Sequence, residues 1–365
     1  MSGSKQVRRL AIAAAFGSGG LGAAGALLTG VVMGQAMLAR RDIPLAESPP
    51  PRCDGRYGTE YAGVPIRIAM LGDSSAAGYG VEAPKDTPGA LLAAGLAEQL
   101  HRPVELRCWA VVGAESRHLA PQVRRVVEQA PDVAVIMIGG NDITHRAKVP
   151  LAVRYLVEAV RALRAVGTEV VVGTCPDLGA IQPIRPPLRW LTGHWSRQMA
   201  AAQTIAAVSA GARTVSLGDL LGPVFAAYPD RMFSFDRFHP SAAGYEAVAA
   251  ALLPSIIAAV TGAGDTAPGD SAGVRSLSEA AVAATRQAGT EVSAARPTNG
   301  AGGPLGAARL ANGAVVQQMV AVRLAELRHR VWRRTEHPTG PVVPSRNVRL
   351  PGQQQRVPES TGEQR

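Results

Sequence analysis

Five short runs rich in Val and Ile, at 66–71, 104–112, 133–138, 169–173 and 213–217, are each followed by a longer stretch of helical pattern. This alternation constrains the fold more than any other feature of the chain. Runs that are apolar throughout suit strands buried on both faces of a parallel sheet. The helical stretches at 88–101, 116–129, 150–166, 188–210 and 241–260 supply the crossovers that parallel strands require. The expected fold class is therefore α/β, with a five-stranded parallel doubly wound sheet. In such sheets the site forms outside the carboxyl ends of the strands, so polar residues just after strands carry most weight. Apolar residues make up 47% of the chain and charged residues 18%, enough to bury a sizeable core and to exclude global disorder. Aromatics are only 4%, which leaves that core to Ala, Val, Leu and Ile.

The flanks read differently. Residues 10–39 carry no charge and are bracketed by Lys5, Arg8 and Arg9 before and Arg40 and Arg41 after. A bilayer core needs roughly 20 apolar residues in a helix, so the length suffices. An uncleaved signal anchor, a signal peptide cleaved near Gly34 and Ala36, and a soluble Ala/Gly-rich helix all fit. The expected division is an anchor or signal segment at 1–41, a Pro/Gly-rich linker at 42–62, one α/β domain at 63–261, and a low-complexity, largely disordered basic tail at 262–365. Within the tail, 313–334 has a basic amphipathic helix pattern, with Val316, Val320, Leu324, Leu327 and Val331 interleaved with arginines. It reads as a membrane-surface or partner-binding helix, or as a solvated capping helix. Net charge is +10, of which residues 1–9 hold +3 and residues 262–365 hold +5. The basic excess avoids the folded domain, and with no reading motif present this argues against nucleic acid. Cys53, Cys108 and Cys175 match neither a zinc site nor a dense disulfide scaffold, although export would allow a Cys53–Cys108 bond.

Three strand ends and one loop before a helix gather polar residues. The first reads Gly72-Asp73-Ser74-Ser75. A serine there is exposed at a glycine turn, yet the turn lacks both the P-loop lysine and a dinucleotide fingerprint. The second ends at Gly113, a backbone N–H donor that lets substrate approach closely, or a simple turn. The third ends in Gly139-Gly140-Asn141-Asp142. Asn141 can offer an uncharged side-chain donor to an oxyanion, or it can cap a helix. Before the last helix, Asp236 and His239 stand three apart, a spacing that lets one carboxylate orient one imidazole. The other histidines form no H-E-x-x-H pattern, and no metal or cofactor site is expected.

Taken in order, Gly-Asp-Ser, Gly, Gly-x-Asn-Asp and Asp-x-x-His resemble the four blocks of the SGNH (GDSL-type) hydrolase superfamily, over residues 66–260. The GDSS block with its short Ala/Gly-rich connection looks like actinobacterial GDSL-type esterases. The resemblance implies a three-layer α/β/α, flavodoxin-like domain and a serine esterase. Ser74 would be the nucleophile, His239 the base and Asp236 its orienting acid. The oxyanion hole would combine the Ser74 and Gly113 N–H groups with the Asn141 side chain. Asp73 would support the turn, and Ser75, the competing nucleophile, falls one place beyond the family position. One departure is Trp109, near a position that in many members is Asn.

That implied constellation fills every role in ester hydrolysis through an acyl-enzyme without a cofactor. Short- to medium-chain esters of lipid or glycan are the expected substrates. The rival reading is a noncatalytic, membrane-tethered envelope-binding protein on the same fold. Residues 184–195, with three prolines nearby and Trp190 and Trp195, line an acyl pocket or start a packed helix. The catalytic domain is expected to be a monomer, held outside the cell by 10–39 or secreted.

Overall fold

The computed structural model describes residues 48–262 continuously and, beyond them, 27, 29–38, 41, 274–276, 281, 291–294 and 307–311. The strands form where β-branched residues run together. β2 (Ile66–Gly72), β3 (Val104–Cys108), β4 (Val133–Met137), β5 (Glu169–Gly173) and β6 (Arg213–Val215) pair in parallel in the spatial order β3-β2-β4-β5-β6. All five residues of β4 are buried, as expected of a central strand covered on both faces. Val133, Val135 and Met137 pack on one side with α3 (Pro88–Leu100) and α10 (Ala242–Thr261), while Ala134 and Ile136 pack on the other with α4 (Leu119–Val127) and α6 (Val149–Ala165). This alternation is the strand period of two, and it produces three layers. α7 (Leu188–Ser209) contributes Met199 to the first core and Ala207 to the second.

The sheet is mixed, not purely parallel, and has nine strands among the described residues. β1 (Gly55–Tyr57), from the stretch expected to be linker, pairs antiparallel with β3 and covers that edge. At the other edge β8 (Glu291–Ala294) pairs antiparallel with β6, followed by β9 (Ala307–Ala311) and β7 (Val274–Ser276). These three strands lie in the tail expected to be largely disordered, and they correct that expectation for the residues described. Their Gly/Ala/Ser-rich surroundings hid them, because strand propensity is weak there and the pairing is supplied by the β6 edge. Glu291 carries the contact: its carboxylate accepts from Arg213 at 2.7 Å and from the Ser255 hydroxyl at 2.7 Å.

Two long apolar segments bear on the membrane question. Among the described residues α10 is the one helix long and apolar enough to cross a bilayer, yet 56% of its most apolar window is buried in the domain. It is a core helix. Of the uncharged stretch 10–39, the part described is a short apolar helix, α1 (Thr29–Leu38). Its Gln35 side chain donates to Pro186 O at 2.6 Å and accepts from Leu188 N–H at 3.1 Å. The amphipathic pattern at 313–334 lies outside the described residues.

Candidate active site

The turn after β2 is possible only with glycine at residue 72. Its φ is +133°, and a Cβ there would sit 1.8 Å from Met137 O. Gln122, a polar residue on the buried face of α4, fixes the same glycine by both backbone groups. It accepts from Gly72 N–H at 2.8 Å and donates to Gly72 O at 2.9 Å. Asp73 then caps the four-residue helix α2 (Ser74–Ala77) by accepting from Ser75 N–H at 2.9 Å. The result is Ser74 at the first helical position, its hydroxyl aimed at the loop before α10.

In that loop Asp236 is 1% exposed and its carboxylate is fully engaged. Oδ1 accepts from Ser234 Oγ at 3.0 Å and from the N–H groups of Phe238 and His239, each at 2.9 Å. Oδ2 lies 2.6 Å from His239 Nδ1, and His239 Nε2 lies 2.8 Å from Ser74 Oγ. Burial pushes the Asp236 carboxyl up, but the His239 contact and the two backbone N–H groups outweigh it and hold the carboxyl below its ordinary value. The imidazole stands between the rings of Tyr79 and Phe238, with centroids 4.5 and 4.9 Å away. Tyr79 could not be assigned from sequence, because it lies far from His239 along the chain.

Asn141 and Asp142 stand on α5 (Gly140–Thr144), one strand over. Asn141 lines the same cavity as Ser74, and its amide donates to Ala114 O at 3.0 Å. Asp142, 1% exposed, accepts from Ser116 N–H at 3.0 Å and from Ser116 Oγ at 2.9 Å. Burial raises the Asp142 carboxyl against those bonds. Together the two side chains pin the segment that follows Gly113. Gly113 itself is exposed, outside the cavity lining, with φ +78°. β3 ends at Cys108, earlier than expected; Trp109 N–H still bonds Met70 O at 2.8 Å, and the chain then turns, Ala114 N–H donating to Val111 O at 3.1 Å. Trp109 holds its indole under the Arg125 guanidinium, 5.5 Å away.

Beside Ser74 opens a cavity. Its wall is apolar, with Leu178, Ile181, Leu217, Phe225, Phe233 and Val248 among its lining. The segment 184–195 is not part of it. Ile184 and Leu188 are buried in the core, Trp190 is 69% exposed, and Trp195 packs on the core from outside. The wall comes instead from the turn before that segment and from α8 (Gly218–Ala227), a helix that Gly222 and Pro223 concealed in the sequence. A second buried glutamine braces this side, Gln203 accepting from Cys175 N–H at 2.7 Å and donating to Ile138 O at 3.0 Å. Among the described residues no three His, Cys, Asp or Glu side chains converge as metal ligands.

Comparison with known proteins points one way. The model of the GDSL-like Lipase/Acylhydrolase family matches residues 70–247. A GDSL-like esterase of Mycobacterium tuberculosis is 45% identical over 256 residues, 67% of this chain and 80% of that one. Among solved structures, a lipase from a goat rumen metagenome aligns at TM-score 0.42 and 18% identity, covering 53% of this chain and 97% of that chain. An acetyl xylan esterase from Geobacillus stearothermophilus aligns at 0.38 and 21%, covering 52% and 94%.

Proposed function

Because the chain belongs to the GDSL-like lipase/acylhydrolase family, and is thereby a carboxylic ester hydrolase, we propose that it cleaves esters of short- to medium-chain acyl groups through a Ser74 acyl-enzyme. The single observation that carries this reading is the continuous contact from Asp236 through His239 to Ser74, at 2.6 and 2.8 Å. With Nδ1–H donated to Asp236, Nε2 accepts the Ser74 proton as Oγ attacks the ester carbonyl carbon. The imidazolium then protonates the leaving alcohol oxygen, and the acyl group stays on Ser74. A water molecule, deprotonated by the same nitrogen, releases the acid and restores the serine.

The carbonyl oxygen gains charge in each step, and Ser74 N–H, Gly113 N–H and Asn141 are its donors in this reading. Asn141 has two amide hydrogens. One goes to Ala114 O, which fixes the plane of the amide, and the other is the one offered to the oxyanion. Preorganised donors of this kind are each worth about 3 kcal/mol of barrier. Asp73 supports the turn by accepting from Ser75 N–H, and Ser74, not Ser75, is the nucleophile in this reading, because its Oγ is the one that meets His239.

The acyl group is apolar because the wall beside Ser74 is. A hydrocarbon chain gains about 0.8 kcal/mol per buried CH₂, so preference rises with chain length until the cavity is filled. Full-length protein assayed on p-nitrophenyl esters from two to twelve carbons, with EDTA present, tests the proposal. Activity that peaks at intermediate length, and that Leu217→Trp shifts toward acetate, is expected. Loss of all activity on chelation, or no turnover at any length, refutes it. The alcohol half of the natural substrate, lipid or glycan, is proposed to lie in the cell envelope, reached by a domain that residues 10–39 hold at the outer face of the membrane.

A further inference from the structure

Two of the three cysteines face one another at the edge of the sheet. β1 pairs with β3 so that Tyr57 stands opposite Val104 and Gly55 opposite Leu106. Continued two residues, this register sets Cys53 opposite Cys108. Opposed residues of an antiparallel pair have Cα atoms roughly 4.5–5.5 Å apart with side chains on one face, inside the roughly 4.4–6.8 Å span of a disulfide. The side chains agree with this placement. A Cβ built on Gly89 would lie 3.1 Å from Cys53 Sγ and 3.2 Å from Leu106 Cδ2, so Cys53 occupies the face that Leu106 and Cys108, two apart, share. The backbone is pinned on both sides. Cys108 N–H donates to Asp54 Oδ1 at 2.7 Å, and the Tyr57 hydroxyl donates to Cys53 O at 2.7 Å. A hydrogen bond from Cys108 also holds the Cys53 thiol below its ordinary pKa, against the rise that burial causes.

We propose that Cys53 and Cys108 form a disulfide, by exchange with a small-molecule disulfide such as oxidised glutathione. The Cys53 thiolate attacks one sulfur of that disulfide, whose S–S bond breaks and releases one small thiolate. Cys108, deprotonated in turn, attacks Cys53 Sγ and releases the second. Two protein thiols are oxidised, one small disulfide is reduced to two thiols, and the two protons end on those thiols. Cys53 is 2% exposed, so the exchange takes place as the chain folds, before β1 docks. Cys175 takes no part, being buried against Gly139 and Gln203 at the end of β5.

The bond would do more than close the loop between the two residues. Cys108 Sγ lies 4.0 Å from Ala76 O, in the helix that begins at Ser74, and Gly113 follows five residues later. The clamp therefore ties the segment before β1 to the end of β3, which touches the nucleophile helix through Ala76 and leads on to Gly113.

Full-length protein refolded with oxidised glutathione, and in parallel with a reductant, is blocked with iodoacetamide under denaturing conditions and digested without reduction. The oxidised sample is expected to give one cross-linked peptide pair joining Cys53 to Cys108, with Cys175 alkylated. Its unfolding midpoint should lie about 5–10 °C above that of the reduced sample. C53S and C108S should lose that gain while hydrolysing p-nitrophenyl butyrate at the reduced wild-type rate. Three alkylated cysteines after oxidation, a bond to Cys175, or the same gain in either variant overturns the proposal. Should a serine variant fail to fold, the peptide map of the wild type decides alone.

Discussion

Ser74→Ala removes the atom that His239 Nε2 meets at 2.8 Å, and His239→Ala removes its acceptor. Each should lower kcat by roughly 10⁴–10⁶, and the double variant should be little worse, because the two act as one unit. Asp236→Ala should be milder, since the imidazole keeps some basicity without its orienter. Asn141→Ala should cost roughly a hundredfold in kcat with little change in KM; a rise in KM alone would make it a substrate-positioning residue. Ser74 and Asn141 stand out in the sequence because each follows a strand end, and Asp236 and His239 because they stand three apart just before a long helical stretch. Gln122, Gln203 and Tyr79 do not, because what they touch is far away along the chain. Asp73 supports a different measurement. Burial pushes its carboxyl from 3.8 up to about 6, so the folded state holds the proton more tightly than the unfolded one. Its stabilisation is complete below pH 3.8 and lost as pH rises through about 6, by up to about 3 kcal/mol. Asp236, held low, acts with the opposite sign, losing its contribution as pH falls. Asp73→Asn keeps an acceptor for Ser75 N–H and should flatten the fall between pH 4 and pH 6, read from urea midpoints against wild type. Parallel curves would mean that Asp73 does not titrate there.

At the scale of elements, the five parallel strands and the helices between them could be read from Val/Ile runs and helical periodicity, with ends off by a few residues. β3 was expected to reach residue 112 and stops at Cys108, because the chain turns there, Ala114 N–H donating to Val111 O. The edge strands could not be read that way, since neither β1 nor β8 has a hydrophobic pattern of its own. Both exist by docking. β8 docks through a charge, Glu291, whose side chain and that of Arg213 are each 12% exposed. Glu291→Ala removes the carboxylate that meets the mostly buried Arg213 guanidinium and should cost about 3 kcal/mol in urea unfolding, with Glu291→Gln in between. A loss below about 0.5 kcal/mol, the level of an ordinary surface substitution, would show that β8 does not cover β6 in solution.

For the whole molecule, charge and apolarity are segregated along the chain: basic at both ends, nearly neutral between, and uncharged over 10–39. If that stretch anchors the protein, full-length chain should stay with membranes through a carbonate wash, and protease added to intact spheroplasts should digest the domain. Recovery in the soluble cytosolic fraction with an intact N-terminus would return 10–39 to being an apolar helix, of which α1 is the described end. The distance along the chain between Ser74 and His239 has a further consequence. The serine emerges early from the ribosome, but its partner histidine lies 165 residues later, just ahead of the core helix α10. Until that last helix is made and packed, the growing polypeptide holds a nucleophile without a base. A chain threaded through a membrane pore in the unfolded state is equally inert. An esterase built in this order becomes active only where it finishes folding.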